Sequence, residues 1–286
     1  MGIRPSLADT IMENIALTGT LTVGTSFDLV PYAYFNEKEE LDGYSIDILR
    51  QIQAELEKQL NKPITLDFVE TNSFVEAIPK ITSGEIDIAC NVTFTWERDD
   101  FVDYTVRYTT SSIRILVPKG SSLGTANSLV RKKIGIPPAT FVEDVIKRVH
   151  PQSILVPQKN VKQGILALQT GQIDALAGDA IILDGIRQEI DPDRYEIFPK
   201  FPEAPYARYG VGCIVPESNS TFLNIANYSI IKLMQGYLIG EEPASKIVNR
   251  WFGPEGVITV NDTNIIKEFF EYTIMLHEQI PLSEPK

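Results

Sequence analysis

Apolar and polar positions follow two rhythms along this chain, and the switch between them happens twice in the same way. Residues 78–92, IPKITSGEIDIACNV, run an apolar-periodic helix into Gly84, then Ile-Asp, then a short apolar strand. Residues 165–179, ILALQTGQIDALAGD, repeat that plan with Gly171 at the break. Glycine just past the last helical turn is the expected stop, because it accepts the left-handed backbone that other residues resist. A second echo lies upstream of each segment. TLTVGTSF and KKIGIPPATF read as strands running into turn-forming residues, followed by the helix patterns YSIDILRQIQAELEKQL and VEDVIKRV. Strand and helix therefore alternate twice over. Alternation of this kind implies parallel sheets covered by helices, and two copies imply two lobes.

In such sheets ligands bind beyond the carboxyl ends of the strands. That places the site residues at 26–32 and 91–98 in the first half, and at 137–141 with Gly178 and Asp179 in the second. Arg98 lies in one set and Asp179 in the other, an opposition of charge that suits a zwitterion. Arg98 follows Thr95, a helix-capping residue, by three positions; this is the electropositive end of a helix, where an anion is welcome. Plainer readings exist for each residue. Arg98 pairs equally well on a surface with Glu97, Asp99 or Asp100. Asp179 suits the cap of the helix AIILDGIRQEI, and Thr93 and Thr140 are ordinary strand-end and N-cap residues. The binding reading gains weight because all four fall at equivalent strand ends.

Composition narrows the classes. The 286 residues carry 43% hydrophobic and 22% charged side chains, enough for two modest cores. A net charge of -12 argues against a nucleic-acid backbone as partner, though not against a small anion held by a local cation. The longest apolar runs fall far short of the roughly 18 to 20 residues of a membrane span. The opening MGIRPSLADTIMENIA lacks the basic-then-apolar layout of a secretory signal. Cys90, Cys213, His150 and His277 show no zinc-ligand spacing, so no metal and no cofactor is expected. Buried free thiols are the default expectation for the two cysteines. A disulfide is the alternative if their strands are neighbours in an oxidising compartment.

The residues resemble the type II periplasmic solute-binding proteins of the polar amino-acid ABC-transporter family, which are related to the ligand-binding cores of ionotropic glutamate receptors. The resemblance spans roughly residues 17 to 255 and rests on LTVGTSFDLVPYAYF, LDGYSIDILRQI, GEIDIACNVTFTWERDDFVDYTVRY and GQIDALAGD. It implies an α/β two-lobed fold, each lobe a mostly parallel sheet flanked by helices, joined by two hinge crossovers near 109–112 and 205–209. Lobe 1 would comprise 17–110 and 208–255 and lobe 2 residues 111–207, with an N-terminal extension at 1–16 and a C-terminal helical extension at 256–286. The stretch SLADTIMENIALTG would pack as a leading helix. The tail helix, with Ile265, Ile266, Phe269, Phe270, Tyr272 and Ile274, would pack on lobe 1 or form a partner surface.

The resemblance also assigns roles. Arg98 would hold the ligand's α-carboxylate by a bidentate pair, which a planar guanidinium makes and lysine does not. Thr93 would add its N–H and hydroxyl, Asn91 would offer its carbonyl to the α-ammonium, and Thr140 would close on the carboxylate from the other lobe. Asp179 would take the ammonium, and Phe74 would pack on the ligand's side chain. The sequence departs from the family pattern at Pro137-Pro138-Ala139-Thr140, where proline supplies no N–H. It departs again at Ser26 and Leu29, which disfavours a basic ligand unless Asp28 substitutes. Phe27, Leu29, Phe74, Pro137 and Phe141 would make the pocket fairly apolar, which favours a neutral or apolar amino acid. The implied protein is a monomer with no nucleic-acid partner. It is periplasmic or otherwise extracytoplasmic, with its signal peptide absent from this sequence, and delivers its ligand to an ABC permease. Two alternatives remain open: an excised receptor or sensor domain, and a dehydratase-like enzyme in which Asp179 or Glu143 acts as an acid.

Overall fold

The computed structural model describes residues 10–71, 73–124, 127–138, 140–200, 203–260 and 263–277, with the side chains of Phe74 and Glu189 outside that description. The chain divides into two compact units: residues 1–109 with 210–286, and residues 110–209.

Unit 1 begins with α1 (Thr10–Thr18) and β1 (Thr20–Thr25), then a small antiparallel sheet of β2 (Asp28–Leu29), β3 (Ala33–Phe35) and β4 (Leu41–Asp42). Next come α2 (Tyr44–Leu60), β5 (Thr65–Glu70), α3 (Phe74–Ser83), β6 (Ile88–Thr93), α4 (Trp96–Asp99) and β7 (Asp103–Tyr104). The strand β8 (Thr109–Pro118) carries the chain into unit 2. There follow β9 (Lys133–Ile136), α5 (Phe141–Val149), β10 (Ile154–Pro157), α6 (Val161–Gln169), β11 (Ala175–Asp179), α7 (Ala180–Ile190) and β12 (Tyr195–Phe198). The strand β13 (Ala207–Val215) returns to unit 1, which closes with α8 (Ser220–Leu238), α9 (Glu242–Phe252) and α10 (Asn264–Leu276).

The internal echo is a topological repeat. In unit 1, β1 lies between β5 and β6, parallel to both. In unit 2, β9 lies between β10 and β11, again parallel to both. An antiparallel strand then flanks each third strand, β13 beside β6 and β8 beside β11. The repeated Ile-Asp has the same work in both places. Asp87 accepts the N–H of Thr22 at 2.8 Å, and Asp174 that of Lys133 at 2.8 Å. Each aspartate's own N–H returns to the carbonyl of the same residue, so the third strand is pinned to the first before their ladder begins. The neighbouring isoleucines press on matching glycines. A Cβ at Gly24 would lie 2.6 Å from Ile86 Cδ1, and one at Gly135 would lie 2.5 Å from Ile173 Cδ1. Gly84 and Gly171 end their helices at φ 75° and 70°, as the pattern predicts.

The cysteine default is corrected. Cys90 and Cys213 are disulfide-bonded, because β6 and β13 are neighbours and the two residues face each other across the ladder. Nothing in the one-dimensional pattern brings strands 123 residues apart into contact.

In unit 1, α2 is fixed where it starts. Gly43 precedes it at φ 143°, and a Cβ there would run into the Tyr32 carbonyl. Asp47 accepts the Trp251 indole N–H at 2.7 Å, and Arg250 pairs with Asp42, tying α9 to this turn. The leading helix α1 packs on α8 and β1, and α10 packs on α8 with Phe270 and Ile274 buried.

Candidate ligand-binding site

In unit 1 the site residues gather where β1 and β6 end. The ladder between β6 and β13 slips by one: Cys213 faces Cys90 while Gly212 faces Val92. Asn91 is the extra residue of this bulge, and its backbone is left-handed at φ 68°. Bulges of this kind re-aim a strand and free backbone groups from the ladder. Here the freed N–H is caught by the Tyr108 hydroxyl at 3.0 Å. The Asn91 side chain is held as well: Oδ1 accepts from Ser45 at 2.5 Å and from Tyr108 at 3.1 Å, and Nδ2 donates to Thr25 Oγ1 at 3.3 Å. Tyr108 is fully buried, and burial pushes its phenol well above the usual range, so it stays a neutral donor and acceptor.

Two residues beyond, Thr93 pairs with Val211, and its carbonyl accepts from Arg98 Nη1 at 3.0 Å. Arg98 sits half-buried on α4, a single turn that Thr95 enters without a side-chain cap bond. Its anchorage is therefore the strand end rather than a long helix. Phe94 packs edge-on against Trp96 and Tyr104, both at 5.1 Å between centroids, and Arg107 lies over its face. Burial raises the Tyr104 phenol to about 12. At the end of β1, Asp28 is exposed and accepts from Ser26 Oγ at 3.0 Å, while Phe27 packs edge-on against Phe35 at 5.3 Å. Phe74 opens α3 at the end of β5, but its side chain lies outside the described residues.

In unit 2 the corresponding position, the end of β11, holds Asp179. It is buried and caps α7, with Oδ1 accepting from the N–H groups of Ile181 and Ile182 at 2.8 and 3.1 Å. The capping expectation is thus met, and it leaves Oδ2 to a second partner, the Tyr209 hydroxyl. Burial raises the Asp179 pKa; Tyr209, the Ile182 N–H, Ser111 and the Ile181 N–H pull it back down. Tyr209 stacks edge-on against Phe141 at 5.6 Å, which brings Phe141 to the same corner and packs it on the unit's core. Thr140 precedes α5 without a side-chain cap bond and turns its hydroxyl to the Pro137 carbonyl at 2.8 Å. Glu143 pairs with Lys147 at 2.6 Å, one turn along α5, and the His150 ring packs against Tyr206. No group of histidine, cysteine, aspartate and glutamate suited to a metal ion occurs among the described residues.

Residues 21–254 match the family model of the bacterial extracellular solute-binding proteins, family 3. The chain belongs to that family. As a family 3 solute-binding protein it is 24% identical over 252 residues to the glutamate/aspartate import solute-binding protein of Escherichia coli, covering 86% of this chain and 80% of that one. It is 30% identical over 207 residues to the glutamine-binding protein of Geobacillus stearothermophilus, covering 70% of this chain and 75% of that protein. Among solved structures, the cysteine-binding protein of Campylobacter jejuni superposes with a TM-score of 0.73 at 20% identity, covering 90% of this chain and 97% of that chain. The fold is the two-lobed α/β fold of the amino-acid-binding proteins, and the relatives named here are import or amino-acid-binding proteins. No helix among the described residues is long and apolar enough to cross a membrane.

Sequence reasoning missed the residues that hold these candidates in place. Tyr108, Ser45 and Thr25 hold Asn91, and Tyr209 holds Asp179. Each reads as an ordinary strand or helix residue, and only the packing of distant segments gives it a partner.

Proposed function

We propose that this protein captures a free amino acid between its two units by hinge closure and delivers it to an ABC importer from an extracytoplasmic compartment. The observation that carries the reading is the equivalence of the two strand ends. Arg98 follows the third strand of one unit, and Asp179 ends the third strand of the other. In this reading Arg98, with Thr93 and the Thr140 corner, takes the ligand's carboxylate, and Asp179, with the Asn91 carbonyl, takes its ammonium. Both walls meet one ligand only in the closed state, so the ligand favours closure by its differential affinity. The side chain of the ligand faces Phe27 and Phe141, which favours a neutral or apolar amino acid. The relatives' names support an amino acid as the class while differing in which one.

Calorimetric titration with the common L-amino acids tests the reading. Wild-type protein should bind one or a few of them. Arg98→Ala should lose about 3 kcal/mol or more of binding free energy while its unfolding transition persists, since truncating one member of a buried charge pair is costly. Unchanged affinity in Arg98→Ala refutes the assignment.

A further inference from the structure

The Cys90–Cys213 disulfide lies at the root of the half-site on unit 1. The bonded residues are the last matched rung before the ladder slips, and the next residue on β6 is Asn91, the left-handed residue of the bulge. One step further, Val92 faces Gly212, and then comes Thr93, whose carbonyl holds Arg98. The ligand-facing part of β6 therefore hangs from a strand whose register is fixed covalently at one point. Opening the bond removes the covalent tie that fixes this rung, and with it the register of the residue pair next to the bulge.

We propose that the Cys90–Cys213 disulfide is a positioning element of the amino-acid site, so that its reduction by a dithiol weakens ligand binding while the fold remains. This rests on the amino-acid-binding reading above. Chemically, one thiolate of the dithiol attacks a cysteine sulfur, the Cys90–Cys213 bond breaks, and a mixed disulfide forms. The second thiol then closes on its partner sulfur and releases the protein as two thiols. Two electrons and two protons pass from the dithiol, which becomes the disulfide. The fold has other ties at this rung: Cys213 N–H donates to Thr105 Oγ1 at 2.9 Å, Thr105 N–H donates to the Cys213 carbonyl at 2.9 Å, and Asn91 keeps Tyr108.

The test compares three samples of the full chain: oxidised, reduced with excess dithiothreitol, and Cys90→Ala/Cys213→Ala. Each is titrated with the L-amino acid that the oxidised protein binds most tightly. The expected result is a dissociation constant raised by about tenfold in both altered samples, with a cooperative unfolding transition retained and full affinity restored on re-oxidation of the reduced wild type. Displaced backbone amide resonances of Asn91, Val92 and Thr93, with those of unit 2 unmoved, would locate the effect. Both cysteines are buried, so thiol titration must first confirm that reduction is complete. If the double variant fails to fold, reduced wild type carries the comparison. Equal affinity in oxidised and reduced protein overturns the proposal, as does a loss of affinity that coincides with unfolding. An oxidised protein that binds no amino acid overturns the binding reading itself, and this proposal with it.

Discussion

A carboxylate has two oxygens, and Asp179 uses them differently: one caps α7, and the other meets the Tyr209 hydroxyl. Its burial raises its pKa. A carboxyl whose folded pKa lies above its unfolded value favours the fold in its protonated form, a contribution present below the ordinary carboxylate range and lost as pH rises through the raised value. A ligand ammonium beside this carboxyl would favour its ionised form and offset the cost of burying that charge. Affinity should fall as pH drops through the raised pKa, earlier than for an exposed aspartate. Titrations from about pH 7 to about pH 4 check this, and Asp179→Asn should both weaken binding and flatten the pH dependence. On the other unit, Tyr108→Phe removes the acceptor of the Asn91 N–H and a donor to its side chain. Leaving that group unmade should cost about 1–3 kcal/mol of stability by urea unfolding, with a loss of affinity through Asn91. The second pairing role of Asp179, and the whole role of Tyr108, were illegible in sequence because both depend on residues that fold in from elsewhere.

At the scale of elements, the repeated Gly-x-Ile-Asp was the most legible feature of the chain, and the structure supplies its cause. In each copy the aspartate pins the third strand to the first and the isoleucine fills the space left by a glycine on the first strand. Gly24→Ala should therefore destabilise the protein by about 1–3 kcal/mol, as overpacking does, because the new methyl meets Ile86, Ala89 and Thr71. Adding Ile86→Val to that background should recover part of the loss. Thermal denaturation of the single and double variants decides it. The predicted helix stops at Gly84 and Gly171 hold for the local reason given, a left-handed backbone. Thr95 opens α4 and Arg98 lies in its first turn, as the pattern predicts; α4 is a single turn, and the Arg98 guanidinium is bonded to the Thr93 carbonyl.

On the scale of the whole molecule, the chain leaves unit 1 along β8 and returns along β13, and the disulfide joins the strands on either side of that excursion within unit 1. A ligand that binds only the folded protein stabilises it with the logarithm of its concentration. Under the proposed function, an amino acid that binds should thus stand out in a thermal-shift screen, adding about 2.7 kcal/mol at a hundred times its dissociation constant, with the shift rising linearly in log concentration. A screen in which no amino acid raises the transition would count against the proposed function.

Local rules act within a few residues, so the sequence by itself determined the alternation of strand and helix, the two-fold repeat, the glycine stops and the strand ends at which Arg98 and Asp179 lie. Its motifs also carried the family. What only the tertiary structure decided depends on segments far apart in the chain: that Cys90 meets Cys213, that Asn91 is a bulge residue braced by Tyr108, and that Tyr209 reaches Asp179. The physical reason is that a hydrogen bond or disulfide between distant residues leaves no periodicity behind; its partners become neighbours only when sheets and helices bury their apolar faces together.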